Sequence, residues 1–364
     1  MSTSADVLKQ IAKTSSAVTS VKFASDFDNC ERVPTGIFEL DLALGGGIPR
    51  GKPVVVYGNE SSNKTNLCLL TCKNDLRIDP LRKWVFIDVE NHFDHFWAKR
   101  LGVPLEQLIV VHPDFAETAV DYVDAFLAAT DIGGIIIDSL AMLTPESEAT
   151  NSAGRTQVGG NSIVVGKLMR KITAGLARQA KEDHYPVVLC INQIRMKIGV
   201  MFGNPETQAG GNAPRFQSGL TLRLNGTDVV VKANDDKTPT YKKTSVIVKK
   251  AKVPYLSKEC EFHLCVKDYV DEALGIGMSN DWSFLREQLK DLGWLTKEGN
   301  KWRFDGELFA KQDDVKPYIY EDPIYLDTVK TNVIKTRMVQ AHGEEVWIDY
   351  ESPVHSQEVE AEEA

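Results

Sequence analysis

The sequence is short of the features that mark several common protein classes. Its 364 residues include six cysteines, at 30, 68, 72, 190, 260 and 265, and no two of them form a CxxC pair. None of its seven histidines stands at metal-ligand spacing. Both absences argue against a zinc site, which draws on such paired ligands. Cys190 lies in the apolar run Pro186–Asn192, where a buried free thiol is expected, and the pattern fits a reducing compartment. The N-terminus lacks a long apolar stretch, so neither a signal peptide nor a membrane span is expected, and a cytoplasmic setting follows. No internal repeat is found. Positive charge is also scarce: 42 Lys and Arg face 51 Asp and Glu, a net charge of -9. Taken alone, that speaks against a nucleic-acid partner. Binding depends on a local basic patch rather than on the sum, however. Part of the acidity is also segregated. The stretch Glu351–Ala364 carries five Glu and no Lys or Arg, the composition of a solvated, disordered tail.

What is present is ordinary globular material, 43% hydrophobic and 26% charged, enough for one large core and a smaller one. Residues 1–32 are polar and rich in Ser and Thr, with a short helix expected near Val7–Lys13 and a strand near Val18–Phe23. They are too short for a core of their own. They fit a disordered leader or an arm that packs on a neighbouring subunit. Over 33–272, short apolar runs at Pro53–Tyr57, Trp84–Asp88, Leu108–His112, Ile135–Asp138 and Val187–Asn192 mostly alternate with helix-like segments. The clearest of these are Lys64–Lys73, Ala116–Ala129 and Ser162–Lys181. That alternation predicts an α/β fold with a mostly parallel central sheet covered on both faces. Runs at Leu220–Leu224, Val229–Lys232 and Ser245–Lys249 read as antiparallel additions, the first two flanking Asn225-Gly226, a hairpin signal. Over 273–350 a helix at Trp282–Leu292 and a hairpin around Gly299-Asn300 predict a small α+β domain, with the acidic tail over 351–364.

Four stretches carry chemistry. Gly58-Asn59-Glu60-Ser61-Ser62-Asn63-Lys64-Thr65 follows a strand and opens a helix, the context of a phosphate-binding loop. Backbone N–H groups and the helix end would cradle phosphates, Lys64 would reach the β- and γ-phosphates, and Thr65 would hold Mg²⁺. Asn63 stands where such loops carry Gly. Asn tolerates left-handed backbone better than most residues, so the loop keeps its shape, at some expected cost in nucleotide affinity or turnover. The run Ile135-Ile136-Ile137-Asp138-Ser139 brings Asp138 to the carboxyl edge of the sheet, as a carboxylate acting on Mg²⁺ through water. Glu90, just past the strand Val85–Asp88, is either a base for the attacking water or an exposed loop acid. Finally, the stretch Ile191–Thr207 runs on to Gly210-Gly211-Asn212 and mixes cations with Met, Ile, Phe and Gly. It suits backbone contact and insertion between bases, or an ordinary surface loop.

This last stretch resembles the second DNA-binding loop of bacterial RecA recombinases nearly residue for residue. The rest of residues 33–310 then falls into register. Thr35-Gly36, Leu40-Asp41 and Ala43-Leu44-Gly45-Gly46-Gly47 resemble the approach to the phosphate loop. That loop matches except at Asn63. Asp138-Ser139 with Leu143-Thr144-Pro145 resembles the Walker B region. The resemblance implies a recombinase that uses ATP and Mg²⁺, forms a helical homo-oligomeric filament on single-stranded DNA, and exchanges strands with homologous double-stranded DNA. Single-strand-binding and mediator proteins would be partners. It makes Glu90 the activator of water and Gln193 the γ-phosphate sensor. Asp94 and Trp97 fall where the family contacts adenine, Trp97 in place of a Tyr; Asn66 continues the phosphate loop. Arg155, Val158 and Gly159 fall in the first DNA loop, which departs strongly from the bacterial pattern. Arg170 matches a phosphate-contacting Arg. Arg195, Met196, Lys197, Ile198, Gly210, Gly211 and Asn212 belong to the second loop. Arg215 and Phe216 match residues at the ATP-bearing subunit interface. Lys250 and Lys252 are the candidates to reach a neighbour's γ-phosphate, with Lys249 as the alternative. On residue type alone this cluster also fits a Lys-rich edge strand. The region beyond 310 departs from the bacterial form, which points to a phage-encoded or otherwise atypical member in a bacterial or phage-infected cell. Two other functions fit the same core: a DNA-coating filament that binds ATP but hydrolyses it poorly, and a helicase. The second-loop match and the lack of a helicase N-terminal domain argue against the helicase.

Overall fold

The computed structural model describes residues 30–149, 159–196, 205–229, 239–267 and 275–343. The expected helix and strand before residue 30, the acidic tail, and Arg155, Val158, Lys197 and Ile198 lie outside the described residues.

The described residues open with β1 (Arg32–Val33), α1 (Phe38–Leu44) and β2 (Ile48–Pro49), β1 and β2 pairing antiparallel. Next come β3 (Pro53–Gly58), α2 (Lys64–Ile78), β4 (Lys83–Asp88), α3 (His95–Arg100), β5 (Leu108–Val111), α4 (Ala116–Phe126) and β6 (Ile132–Asp138). The short α5 (Glu146–Ala149) and the long α6 (Gly160–Gln179) lead to β7 (Val187–Met196), β8 (Glu206–Gln208), α7 (Ala213–Gln217), β9 (Leu220–Val229), β10 (Tyr241–Ala251) and β11 (Glu259–Cys265). These build a nine-stranded sheet in the order β11-β10-β9-β3-β7-β6-β4-β5, with β8 added to β7. The six strands from β9 to β5 run parallel; β10 and β11 are antiparallel.

Every residue of β3 is buried, because helices cover both faces of the sheet and an alternating polar pattern would leave polar side chains dry. Successive side chains point to opposite faces. Val54 and Val56 therefore join Leu67 and Leu70 of α2 in one apolar cluster. Val55 joins Val120 of α4 and Leu168 of α6 in the other. Cys190 lies in this second cluster, fully buried. Beneath the sheet edge, the carboxylate of Asp75 accepts from Arg50 and from Trp84 Nε1, so this buried charge is paired and hydrogen-bonded.

Asn225-Gly226 is not a hairpin turn. Both residues sit inside β9, opposite Ser245 and Thr244 of β10. The glycine serves close approach instead: a Cβ at Gly226 would lie 2.8 Å from Ser61 O and from Ser62 Cα, so the phosphate loop rests directly on this strand. β11 has no counterpart among the expected strands. Its outer positions are Glu259 and Glu261, which hide the inward alternation of Phe262 and Leu264.

The C-terminal part holds α8 (Trp282–Asp291), the expected hairpin as β12 (Thr296–Glu298) and β13 (Lys301–Phe304), and a third strand β14 (Glu307–Phe309). Then come α9 (Val315–Tyr320) and α10 (Pro323–His342), whose N-cap Asp322 accepts from Ile324 N at 2.9 Å. Leu285, Leu289, Phe304, Ile319 and Val333 form a third apolar cluster together with Phe38 and Leu42 of α1. At the seam, Ser279 Oγ donates to Glu39 Oε2 at 3.1 Å, and Lys330 Nζ meets Asp281 Oδ2 at 2.5 Å.

Candidate active site

The carboxyl ends of β3, β4, β6 and β7 converge on a cavity of about 620 Å³, lined by Gly58–Ser61, Lys64, Thr65, Asn66, Asp88, Glu90, Asp94, Trp97, Asp138 and Gln193 among others. Strand ends are where an open α/β sheet binds ligands, because the chain there turns into loops free of ladder bonding. At Gly58 a Cβ would come within 2.2 Å of Leu224 O, so glycine is required where the loop leaves β3. The loop turns through left-handed backbone at Ser61 and Asn63, the latter at φ 66° and ψ 19°. Asn63 thus holds the shape expected of the glycine it replaces. Its side chain is turned away from the cavity and buried: Nδ2 donates to Thr244 Oγ1 of β10 at 2.8 Å, and Oδ1 accepts from Asn66 Nδ2 at 2.9 Å.

Helix α2 starts at Lys64, so its first-turn N–H groups lack intrahelical partners and carry the positive end of the helix dipole. Lys64 Nζ donates to Asn59 O at 2.6 Å, and burial lowers its pKa against the pull of Asp138 and Glu90. Thr65 Oγ1 donates to Asp138 Oδ2 at 2.8 Å. Burial raises the Asp138 carboxyl to about 6, with the Thr65 bond opposing. These two oxygens, from the first turn of α2 and the end of β6, are hard donors. No cluster of three acidic, His or Cys groups able to hold a metal occurs among the described residues. Two protein oxygens, completed by phosphate and water, are the donor set that Mg²⁺ takes at nucleotides.

Glu90 stands across the cavity. Its Oε1 accepts from Ser139 Oγ at 2.5 Å and from Gln193 Nε2 at 3.2 Å. Buried Asp88 accepts from His92 N at 3.2 Å and Phe93 N at 2.9 Å, which fixes the loop that carries Glu90. Asp94 caps α3, accepting from Trp97 N at 3.0 Å, and Trp97 Nε1 donates to Asn66 Oδ1 at 2.7 Å. The sequence alone assigns no role to Ser139 or Asp88 and gives no sign of the bond between Asn63 and Asn66, both of which it places in the nucleotide site. Ser139 follows a strand-end acid, the same signal that singled out Asp138.

The remaining predicted residues fall into two groups. β7 continues past Gln193 to the exposed Arg195 and Met196, and β8 returns antiparallel with Ile194 opposite Gln208. Gly210 and Gly211, at φ 80° and 71°, then pack on Val165 and Ser162 of α6. Asn192 Nδ2 donates to Ala209 O at 3.0 Å, tying the glycine pair to β7. Gly159 caps α6 and exposed Arg170 lies about three turns on, so residues from both expected DNA loops share this face. Ile163 and Lys167, at helical spacing before Arg170, are exposed on the same stripe and were missed.

Phe216, Lys250 and Lys252 do not line the first cavity within one chain. Phe216, 66% exposed, lines a second cavity of about 570 Å³ with Asn212, Arg215, Lys249 and Lys250. Lys250 Nζ donates to Arg215 O and Phe216 O, both at 2.8 Å, holding the end of α7. A register shift in β10 between Val248 and Lys250 sets where this lysine emerges.

Comparison with known proteins matches residues 3–271 to the RecA N-terminal domain family. Among curated proteins, the chain is 34% identical to Protein RecA of Cereibacter sphaeroides, covering 86% of this chain and 85% of that one. It is 31% identical to Protein RecA of Allochromatium vinosum, covering 91% and 90%. Against Protein RecA of Laribacter hongkongensis the identity is 32%, covering 84% and 82%. No helix among the described residues is long and apolar enough to cross a membrane.

Proposed function

We propose that this chain, which belongs to the RecA family, is an ATP-dependent recombinase of DNA recombination and repair. It assembles as a filament on single-stranded DNA and pairs that strand with a homologous duplex. The observation that carries this reading is the Glu90–Gln193 contact at 3.2 Å, because Gln193 sits on the strand that runs directly to Arg195 and Met196. One residue borders both the hydrolytic centre and the DNA-facing loop.

The chemistry follows from positioning. The loop Gly58–Asn63 and the start of α2 receive the phosphates, and Lys64 leaves Asn59 O for the β,γ-phosphates. Thr65 and Asp138 would hold Mg²⁺, which neutralises charge on the phosphate oxygens when bound. Glu90 orients and accepts a proton from the water that attacks the γ-phosphorus, while Trp97 and Asp94 receive the base. A γ-phosphate competes with Glu90 for the Gln193 amide, and its loss on hydrolysis returns Gln193 to Glu90. Phe216, Lys250 and Lys252 act on the nucleotide of the adjoining subunit. Arg170, Arg195, Met196 and Gly210–Asn212 contact the DNA backbone, with Gly159 at the first loop. Sequence is read by base pairing, so one protein serves every sequence. Homologous double-stranded DNA is the second substrate. Single-strand-binding and mediator proteins, and the cytoplasm of a bacterial or phage-infected cell, are its expected partners and setting.

The test is phosphate release with and without single-stranded DNA. DNA-stimulated turnover is expected, falling about 100-fold or more in Lys64→Ala. DNA coating without phosphate release in the native chain would select a slow-turnover filament instead. Unwinding without strand exchange would select a helicase.

A further inference from the structure

The sequence departs from the family pattern at two positions of the nucleotide site, Asn63 for Gly and Trp97 for Tyr. Asn66 joins the two. Trp97 Nε1–H donates to Asn66 Oδ1 at 2.7 Å, Asn66 Nδ2 donates to Asn63 Oδ1 at 2.9 Å, and Asn63 Nδ2 donates to Thr244 Oγ1 at 2.8 Å. An indole N–H donates and never accepts, so it fixes which atom of Asn66 it meets. That leaves the Asn66 amide to donate, which sets Asn63 in turn and points the last donor at Thr244. Each amide has a single consistent orientation. Thr244 is fully buried within β10 and Asn63 is nearly so, while Trp97 and Asn66 border the cavity. The chain of bonds therefore runs from a buried position of the central sheet to the ring expected to meet the base.

We propose that Asn63 and Asn66 are positioning residues that lock the Trp97 indole as a platform for the nucleotide base, so that Asn63 serves base binding and is not merely a tolerated substitute for glycine. The proposal rests on the assignment of the cavity to ATP. A glycine at 63 has no amide to receive Asn66, and a tyrosine at 97 would carry its polar atom at the tip of the ring and could accept as well as donate, so the two departures work as a matched pair. A ring held before binding loses less freedom when a base stacks on it. The phosphates, by contrast, are received by Lys64 and backbone N–H groups, whereas the relay is made of side-chain bonds alone. The relay therefore contributes to binding of the base and not of the phosphates.

The experiment compares the affinity of the full chain for ATP with its affinity for inorganic tripolyphosphate, which has the phosphates and no base. Thr244→Val, which removes the acceptor of the last bond and lies outside the phosphate loop, is expected to weaken ATP about five-fold and leave tripolyphosphate unchanged, while Asn66→Ala is expected to weaken ATP by a similar factor. In hydrolysis the loss appears in KM and not in kcat. Trp97→Phe keeps a ring but removes the donor. Combined with Asn66→Ala it is expected to cost no more than the larger single change, since both break one chain. Equal weakening of both ligands in Thr244→Val, or fully additive losses in the double variant, would overturn the relay while leaving the nucleotide site intact. A native chain that binds tripolyphosphate and ATP equally well would also overturn it, since no base platform would then exist. Failure of the native chain to bind either ligand would remove the nucleotide assignment itself, and the relay with it.

Discussion

The two cavities are close in size, about 620 and about 570 Å³, and flank the end of β3, with Gly58 on the wall of one and Tyr57 on the wall of the other. Their chemistry differs, the first being richer in acids and the second in cations. The first gathers acids and hydroxyls already bonded to one another, Thr65 to Asp138 and Ser139 to Glu90, with Lys64 folded over the loop. The second gathers Arg215, Lys249 and Lys250 beside the exposed ring of Phe216. Phosphoryl transfer needs both sets, since negative charge spreads over the transferred group in the transition state. One chain carries the two sets apart, and under the proposed function head-to-tail assembly would bring one subunit's cations to the next subunit's acids.

The contrast is open to test from both sides. On the acidic side, Glu90→Gln keeps the shape and the hydrogen-bonding capacity but removes the base. It should lower kcat about 100-fold or more with ATP binding retained, as read by phosphate release beside a nucleotide-binding assay. A small effect would make Glu90 an ordinary loop acid. On the cationic side, Lys250→Ala should be inactive in DNA-stimulated hydrolysis when alone. Mixed with Lys64→Ala, it should regain part of the activity, because each variant supplies the half the other lacks. Absence of recovery in a mixture that still assembles on DNA would place both halves in one subunit.

A smaller effect is expected at a third place, the seam of α1 with the C-terminal elements. Glu39 is buried there beside Asp281, and burial, then repulsion by Asp281, raises its pKa from 4.5 to about 7, with Ser279 and Lys330 opposing. The folded state therefore favours the protonated acid. The corresponding stabilisation is complete below about 4.5 and is lost as pH rises through about 7. Thermal unfolding should show a Tm that declines across that window, and Glu39→Gln should flatten the decline. Asp41, raised to about 7 chiefly by its own burial, keeps part of the slope.

What was legible in the sequence is what is local. Apolar runs ending in Asp138 or just before Glu90 mark buried parallel strands and the residues they present, because strand period and strand end are read within a few residues. The phosphate loop is equally local. What escaped depends on partners far along the chain. Asn225-Gly226 has the composition of a turn, yet the glycine answers to Ser61 and Ser62, more than 160 positions earlier. Asn63 looks like a defect until Thr244 stands beside it. Lys250 reads as one of several edge lysines until its bonds to the end of α7 single it out. The third strand and the long last helix of the C-terminal part were missed for a related reason. α10 packs Val333 and Met338 inward but carries no clean amphipathic stripe, since its neighbours crowd it from several sides.

The sharing of Phe38 and Leu42 with the C-terminal cluster bears on how this protein could be recombined with its own relatives. A gene fusion joined near residue 275 would transplant α8 to α10 without the two side chains that fill their centre, and would leave those side chains bare on the donor core. The C-terminal part is therefore not an interchangeable cassette. A workable chimera must carry the matching face of α1 with it, so these distant stretches of the gene have to be exchanged together.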